Sequence, residues 1–270
     1  MELGKIRHLR RPRYELPIAG LPEALNGLRI VHLSDIHVDR TWMPAWTELH
    51  RWLAESPPDL ICITGDWVDK KSDHRPAMPM LERFLSGLKS RLGVWGILGN
   101  HDTDLLPLRA GESPVHTLFN QRMVLEHNGA RLEMIGLHGV HPSDSPDGVL
   151  TTLAARAPAS PIPTTTGMGD AGALATRPVR IALSHFPSHA LKLAEHGVEI
   201  VLAGHTHGGQ VCLPGGIPLM THDPLPRRFA RGAHRIGETW LITSRGCGFS
   251  KYPIRVFCPA EAIELVLRVA

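Results

Sequence analysis

The sequence predicts an α/β fold in which two β-sheets pack as a sandwich with helices outside. Short runs rich in Val, Ile and Leu each end in a polar cluster, and helical patterns separate those runs. A hairpin signal and two late strand-like runs add β-structure beyond a simple alternation of strand and helix.

Residues 28–33 read as a strand leading into Ser34-Asp35-Ile36-His37, and residues 60–63 as one leading into Thr64-Gly65-Asp66. Residues 94–98 lead into Gly99-Asn100-His101-Asp102, 179–183 into Ser184-His185, and 200–203 into Gly204-His205-Thr206-His207. Such unbroken apolar runs suit strands covered on both faces. Between them, Trp46, Leu49, Trp52 and Leu53 share one helical face, and Met80, Leu81, Phe84, Leu85 and Leu88 another. Ser188 is placed to cap a short helix ending at Gly197. Residues 122–125 and 131–137 flank Asn128-Gly129, a hairpin turn, and 239–243 and 262–269 read as further strands. Residues 147–157 read as a short helix. Residues 158–178, rich in Pro, Thr, Gly and Ala without an apolar period, read as an inserted loop. The expected organisation is a basic arm and lead-in over residues 1–27, then a single domain over 28–270 that carries the insert.

The chain of 270 residues, with 43% apolar and 20% charged residues, has ordinary globular composition and excludes disorder of the whole. A formal charge of +3, scattered along the chain, argues against a nucleic-acid partner. Lys5, Arg7, Arg10, Arg11 and Arg13 cluster near the start, but no apolar stretch follows them as an export signal would require. No run approaches the roughly 18 apolar residues of a spanning helix. The expectation is a cytoplasmic protein whose basic arm is either a solvated terminus or a peripheral contact with anionic membrane. Oligomeric state is not legible. The four cysteines form no Cys-x-x-Cys pair and read as buried free thiols.

The polar clusters carry the chemistry. In an α/β sheet, residues just past the carboxyl ends of the strands meet along one edge, so five separate clusters are expected to converge. Two divalent metals about 3.5–4 Å apart can clamp both the attacking and leaving oxygens of a phosphoryl displacement, and their ligands are hard oxygens and imidazoles. Asp35 and His37, two apart, would point the same way from an extended segment. Asp66 has two oxygens with which to bridge, Asn100 offers a neutral carbonyl, and His205 and His207 repeat the spacing of two. Each motif alone is weak; their ordered co-occurrence is not.

As a set, Ser-Asp-Ile-His, Thr-Gly-Asp-Trp-Val-Asp, Leu-Gly-Asn-His-Asp, Leu-Ser-His-Phe-Pro and Ala-Gly-His-Thr-His-Gly-Gly-Gln resemble the calcineurin-like metallophosphoesterases from about Leu28 onward. The last motif, with Ser244-Arg245-Gly246 and Pro253-Ile254-Arg255, is similar to a bacterial branch containing membrane-associated phosphodiesterases and UDP-diacylglucosamine pyrophosphatases. The resemblance implies that Asp35, His37 and His207 hold one metal, Asp66 bridges, and Asn100, His185 and His205 hold the second. His101 stays off the metals and assists the leaving group or steadies phosphoryl oxygens, while metal-bound water or hydroxide attacks phosphorus in line. Manganese is the first choice of metal, with iron and zinc also suited to the ligands. The chain departs from the branch at His141, where relatives usually carry Asp, and in the Pro-rich insert.

Several residues admit two readings. Asp102 either orients His101 or is a solvated loop carboxylate, and Arg245 and Arg255 either bind substrate phosphate or form ion pairs. Trp42, Met43, Trp67, Phe186, Ile217, Leu219 and Met220 either pack the loops or form a greasy rim around the metals. The expected activity is hydrolysis of phosphodiester or pyrophosphate bonds, on a lipid-linked or nucleotide substrate. A phosphomonoesterase, a nuclease of the same fold and a non-catalytic scaffold are the alternatives. The scaffold is disfavoured because all eight motif positions are filled.

Overall fold

The computed structural model describes residues 1–69, 73–102, 113–137 and 177–270. The readings of 147–157 as helix, of most of 158–178 as inserted loop, and of His141 fall outside them.

Two six-stranded sheets form the body. The first runs, in spatial order, Arg13–Ile18, Ile263–Val269, Arg29–Leu33, Leu60–Thr64, Val94–Ile97 and Val115–Thr117. The second runs Gly232–Ile236, Thr239–Thr243, Ile200–Ala203, Val179–Leu183, Ala130–Gly136 and Gln121–His127. Period-two alternation fixes how they pack. Ile30, Leu60, Cys62 and Ile97 of the first sheet meet Leu132, Met134, Ile181, Leu183 and Leu202 of the second in the sandwich core. The residues between them point the other way. Val31, Leu33, Ile61 and Ile63 pack under the helices Pro44–Glu55 and Met78–Ser86, which bury Trp46, Leu49, Leu53, Leu81 and Phe84. Ile135, Ala182 and Val201 do the same beneath the helix Ala190–Glu195. Each fully buried Leu or Ile contributes about 1.5–3 kcal/mol, which makes both faces of each sheet costly to expose.

The hairpin turns at Asn128 (φ 49°) and Gly129 (φ 79°), the left-handed pair that a two-residue turn of this kind requires. Ser188 does not cap the helix after His185. It lies inside a 3-10 turn, Pro187–His189, that runs straight into the helix, so the hydroxyl never reaches a capping position. Gly197 does end that helix, with φ 68°. The basic N-terminal segment is tied to the body: Glu2–Leu3 pairs with Ile254–Arg255, Ile6 is buried, and Arg13–Ile18 is an edge strand of the first sheet.

The functional consequence lies in strand direction. Arg29–Leu33, Leu60–Thr64 and Val94–Ile97 are mutually parallel, as are Val179–Leu183 and Ile200–Ala203. The loops after them therefore emerge along one edge. Backbone bonds from Asp35 N to the Gly65 carbonyl and from Gly204 N to the His185 carbonyl stitch those loops together.

Candidate metal centre

All seven predicted ligands and His101 meet at that edge. His37 Nε2 lies 3.0 Å from His207 Nε2, and His207 Nε2 lies 3.3 Å from an Asp35 oxygen. Asn100 Oδ1 lies 3.0 Å from both His185 Nε2 and His205 Nδ1. Between these two groups sits Asp66, one of whose oxygens is 3.6 Å from His37 Nε2 and 3.4 Å from His185 Nε2. Three overlapping sets, Asp35–His37–His207, Asp35–Asp66–His185 and His37–Asp66–His101, each keep their donor atoms within 4.8 Å of one another.

The backbone reaches this arrangement differently from the expectation. Asp35 and His37 do not share a face by strand alternation. Both have left-handed φ, 48° and 47°, as do Asp66 (52°), His205 (67°) and His207 (51°). Non-glycine residues enter this region at a cost, and Asp and His do so more readily than most. Five candidate ligands in this region mark loops over-determined by their surroundings, a feature that clusters at functional sites. Gly65 (φ 91°) has room for no side chain, since a Cβ there would lie 2.7 Å from Gly99 and from His185 Nδ1.

Outer partners set which imidazole nitrogen faces inward. His185 Nδ1 donates to the Thr64 carbonyl at 2.7 Å, and His205 Nε2 to the His222 carbonyl at 3.1 Å. His37 Nδ1 stands 3.4 Å from the Asp69 carboxylate. With these tautomers, assigned from the partners, the remaining nitrogens turn lone pairs toward the centre, as metal ligation needs. His101 Nδ1 donates to the Asp69 carbonyl at 2.7 Å, and its backbone N–H donates to Asp66 at 2.8 Å.

Charge is poised to match. Burial raises Asp35 above the usual carboxylate range despite nearby His185. Burial works the same way on Asp66, but His185 and His37 outweigh it and hold Asp66 well below that range. Burial opposes protonation of His185, yet Asp66 and Asp35 prevail and push it up to about 9, whereas burial and His185 drive His205 down to about 3. A cation that displaced the His185 proton would answer both buried carboxylates, and the mixed oxygen and nitrogen donors fit divalent first-row metals.

The ambiguous residues divide. Asp102 neither orients His101 nor faces solvent. It is fully buried and accepts from Trp67 N (2.8 Å), Val68 N (3.2 Å) and Gly99 N (2.8 Å), fastening the Asp66 loop to the Asn100 loop. Arg255 is 1% exposed, and its guanidinium is spent on the carbonyls of Gly248, His207, Cys258 and Arg245, so it does not meet substrate. Arg245 pairs with Glu261 at 2.9 Å. Trp67 and Phe186 are fully buried packing residues, Trp42 and Met43 are half-buried against the core, and Ile217, Leu219 and Met220 are exposed. All four cysteines are buried and free. Sequence reasoning missed Asp69 as a support for His37 and His101, although it ends the quoted Thr-Gly-Asp-Trp-Val-Asp motif.

Residues 28–209 match the family model described as calcineurin-like phosphoesterase. The uncharacterized metallophosphoesterase YkuE of Bacillus subtilis is 28% identical over 92% of this chain and 82% of its own length. Phosphodiesterase YaeI of Escherichia coli is 26% identical over 88% of this chain and 82% of its own. UDP-2,3-diacylglucosamine pyrophosphatase LpxG of Chlamydia muridarum is 27% identical over 70% of this chain and 66% of its own. The chain spans 56% of the length of two longer relatives, from Danio rerio and Bos taurus.

Proposed function

Because the chain belongs to the calcineurin-like phosphoesterase family, we propose that it is a two-metal hydrolase of phosphodiester or pyrophosphate bonds. The observation that carries the two-metal reading is the position of Asp66, one oxygen of which stands between His37 and His185 at 3.6 and 3.4 Å. On this reading Asp35, His37 and His207 hold one metal, Asn100, His185 and His205 the other, and Asp66 bridges. Manganese is the metal we assign first, with iron and zinc suited to the same donors. When bound, the pair would supply positive charge to hold a phosphoester and to offset charge developing on its phosphoryl and leaving-group oxygens.

The chain's own residues do the rest. Asp69 fixes the His101 ring through Nδ1, leaving Nε2 free to hold a proton for the leaving group or to bond a phosphoryl oxygen. Asn100 brings an oxygen without adding negative charge where an anionic substrate must sit. The exposed side chains of Ile217, Leu219 and Met220 border the loop whose His222 carbonyl holds His205, which supports a substrate with a lipid-like or nucleotide group. YaeI and LpxG bear names that place diester and pyrophosphate chemistry among the relatives.

No helix among the described residues is long and apolar enough to cross a membrane. We place the protein in the cytoplasm, with its basic N-terminal segment in peripheral contact with anionic membrane. A diester and a monoester sharing one leaving group test the substrate reading: the diester should have the higher kcat/KM, and a higher value for the monoester overturns it.

A further inference from the structure

Away from the metals, Arg10, Arg11 and Arg245 line an open cleft of about 570 Å³ together with Pro12 and Pro259. One of its walls, Arg245, backs onto the loop that carries His207. The Cβ and Cγ of Arg245 pack against Gly208, where an added side chain would collide with them, and none of the predicted metal ligands lines the cleft. Two of the three arginines are already answered by carboxylates: Arg245 by Glu261 at 2.9 Å, and Arg11 by Glu48 at 3.3 Å. The side chain of Arg10 has no hydrogen-bond or ion-pair partner among the described residues, and the Arg245 Nε is buried without an acceptor.

These groups are held in place before any ligand arrives. Arg10 N donates to the Ala260 carbonyl, and the Arg10 carbonyl accepts from Ala262 N, so its backbone is locked on both sides. The buried side chains of Ile6 and Leu9 anchor the segment leading to it. The Arg245 N–H donates to Glu261 and its carbonyl accepts from the buried Arg255. Guanidinium groups on rigid backbone, with one cation unanswered, suit a planar-fork grip on a tetrahedral oxyanion and lose little freedom when it binds. We propose that this cleft is a second anion site, separate from the metal centre, that takes a phosphate group, either as inorganic phosphate or as the headgroup of an anionic phospholipid.

The test uses metal-loaded, full-length protein. Equilibrium dialysis with radiolabelled orthophosphate should find a site that persists in wild type and is weakened roughly tenfold in Arg10→Gln, less in Arg10→Lys, and that weakens as salt is raised. Because the Arg10 side chain has no hydrogen-bond or ion-pair partner among the described residues and none of the predicted metal ligands lines the cleft, metal content and turnover of a soluble diester should not change in either variant. Co-sedimentation with phosphatidylcholine vesicles, with and without phosphatidic acid, separates the two sources. Arg10-dependent binding to the acidic vesicles identifies the headgroup, and Arg10-dependent orthophosphate binding without vesicle binding identifies the free ion. Loss of neither signal in Arg10→Gln overturns the proposal. Failure to hydrolyse phosphoesters, with the Arg10-dependent site intact, would instead defeat the hydrolytic reading and leave this one standing.

Discussion

Replacing Asp102 by Ala should destabilise the metal-free protein and loosen the metal centre, although this carboxylate touches neither metal position nor solvent. Three backbone donors, on Trp67, Val68 and Gly99, would lose their acceptor at once. A buried donor left unmet costs about 1–3 kcal/mol, so three bring an upper range of roughly 3–9 kcal/mol. Water entering the vacated space recovers part of that, and removal of a costly buried charge recovers more, since burial and Asp66 push Asp102 up to about 7. A net loss of about 2–4 kcal/mol is expected. Asp102→Asn should fall between, because its amide keeps one accepting oxygen but turns N–H groups toward a backbone donor. Urea unfolding in the presence of chelator measures the loss, and metal titration should show weaker binding, because the loops carrying Asp66 and Asn100 are no longer fastened together. Stability of Asp102→Ala within about 0.5 kcal/mol of wild type would refute this account of what holds the loops.

Two further predictions concern single histidines. His101→Gln should retain both metals while turnover falls by about 10²–10⁴, the range for a positioned acid–base group; metal analysis beside steady-state rates checks it, and wild-type turnover removes His101 from the chemistry. His32 is buried at the sandwich core, bonded at 2.8 Å to Thr64 Oγ1, and burial drives it down to about 3 from 6.5. Its neutral form therefore favours the fold fully above pH 6.5, and that contribution is lost as pH falls toward 3, because the unfolded chain takes up a proton that the folded one refuses. The slope approaches about 1.4 kcal/mol per pH unit, or about 2 kcal/mol at pH 5. Urea unfolding of metal-free wild type and His32→Gln across this range should show a flatter profile in the variant, and parallel profiles would exclude His32 as the cause.

The strands and the convergence of their trailing loops were legible in the sequence because burial on both faces writes itself as unbroken Val, Ile and Leu, and because parallel strands must send those loops to one edge. The same grammar singled out Asp35, Asp66 and His205 as candidate ligands, and the structure brings them to one edge. What the sequence did not disclose depends on long-range contact. The left-handed backbone at Asp35 and His37 is imposed by stitching to the Asp66 loop, which no spacing of two reveals. Asp102 owes its role to the Trp67 and Val68 N–H groups, 35 and 34 residues away, and Asp69 to the rings of His37 and His101, so the sequence leaves Asp102 between orienting His101 and facing solvent, and Asp69 unassigned. Arg255 followed the same logic: a motif arginine looks like a phosphate ligand until its surroundings show a cage of carbonyls. Ser188 failed as a cap because a 3-10 turn replaced the expected helix start, a local choice set by Pro187 and the loop before it.

The claim on which the rest depends is that Asp66 bridges two metals. Wild type, Asp66→Ala and Asn100→Ala, reconstituted with manganese and freed of loosely bound ions in parallel, should be compared by metal stoichiometry. The account predicts two metals per chain in wild type, loss or severe weakening of both in Asp66→Ala, and loss chiefly of one in Asn100→Ala. Retention of two tightly bound metals in Asp66→Ala would contradict it.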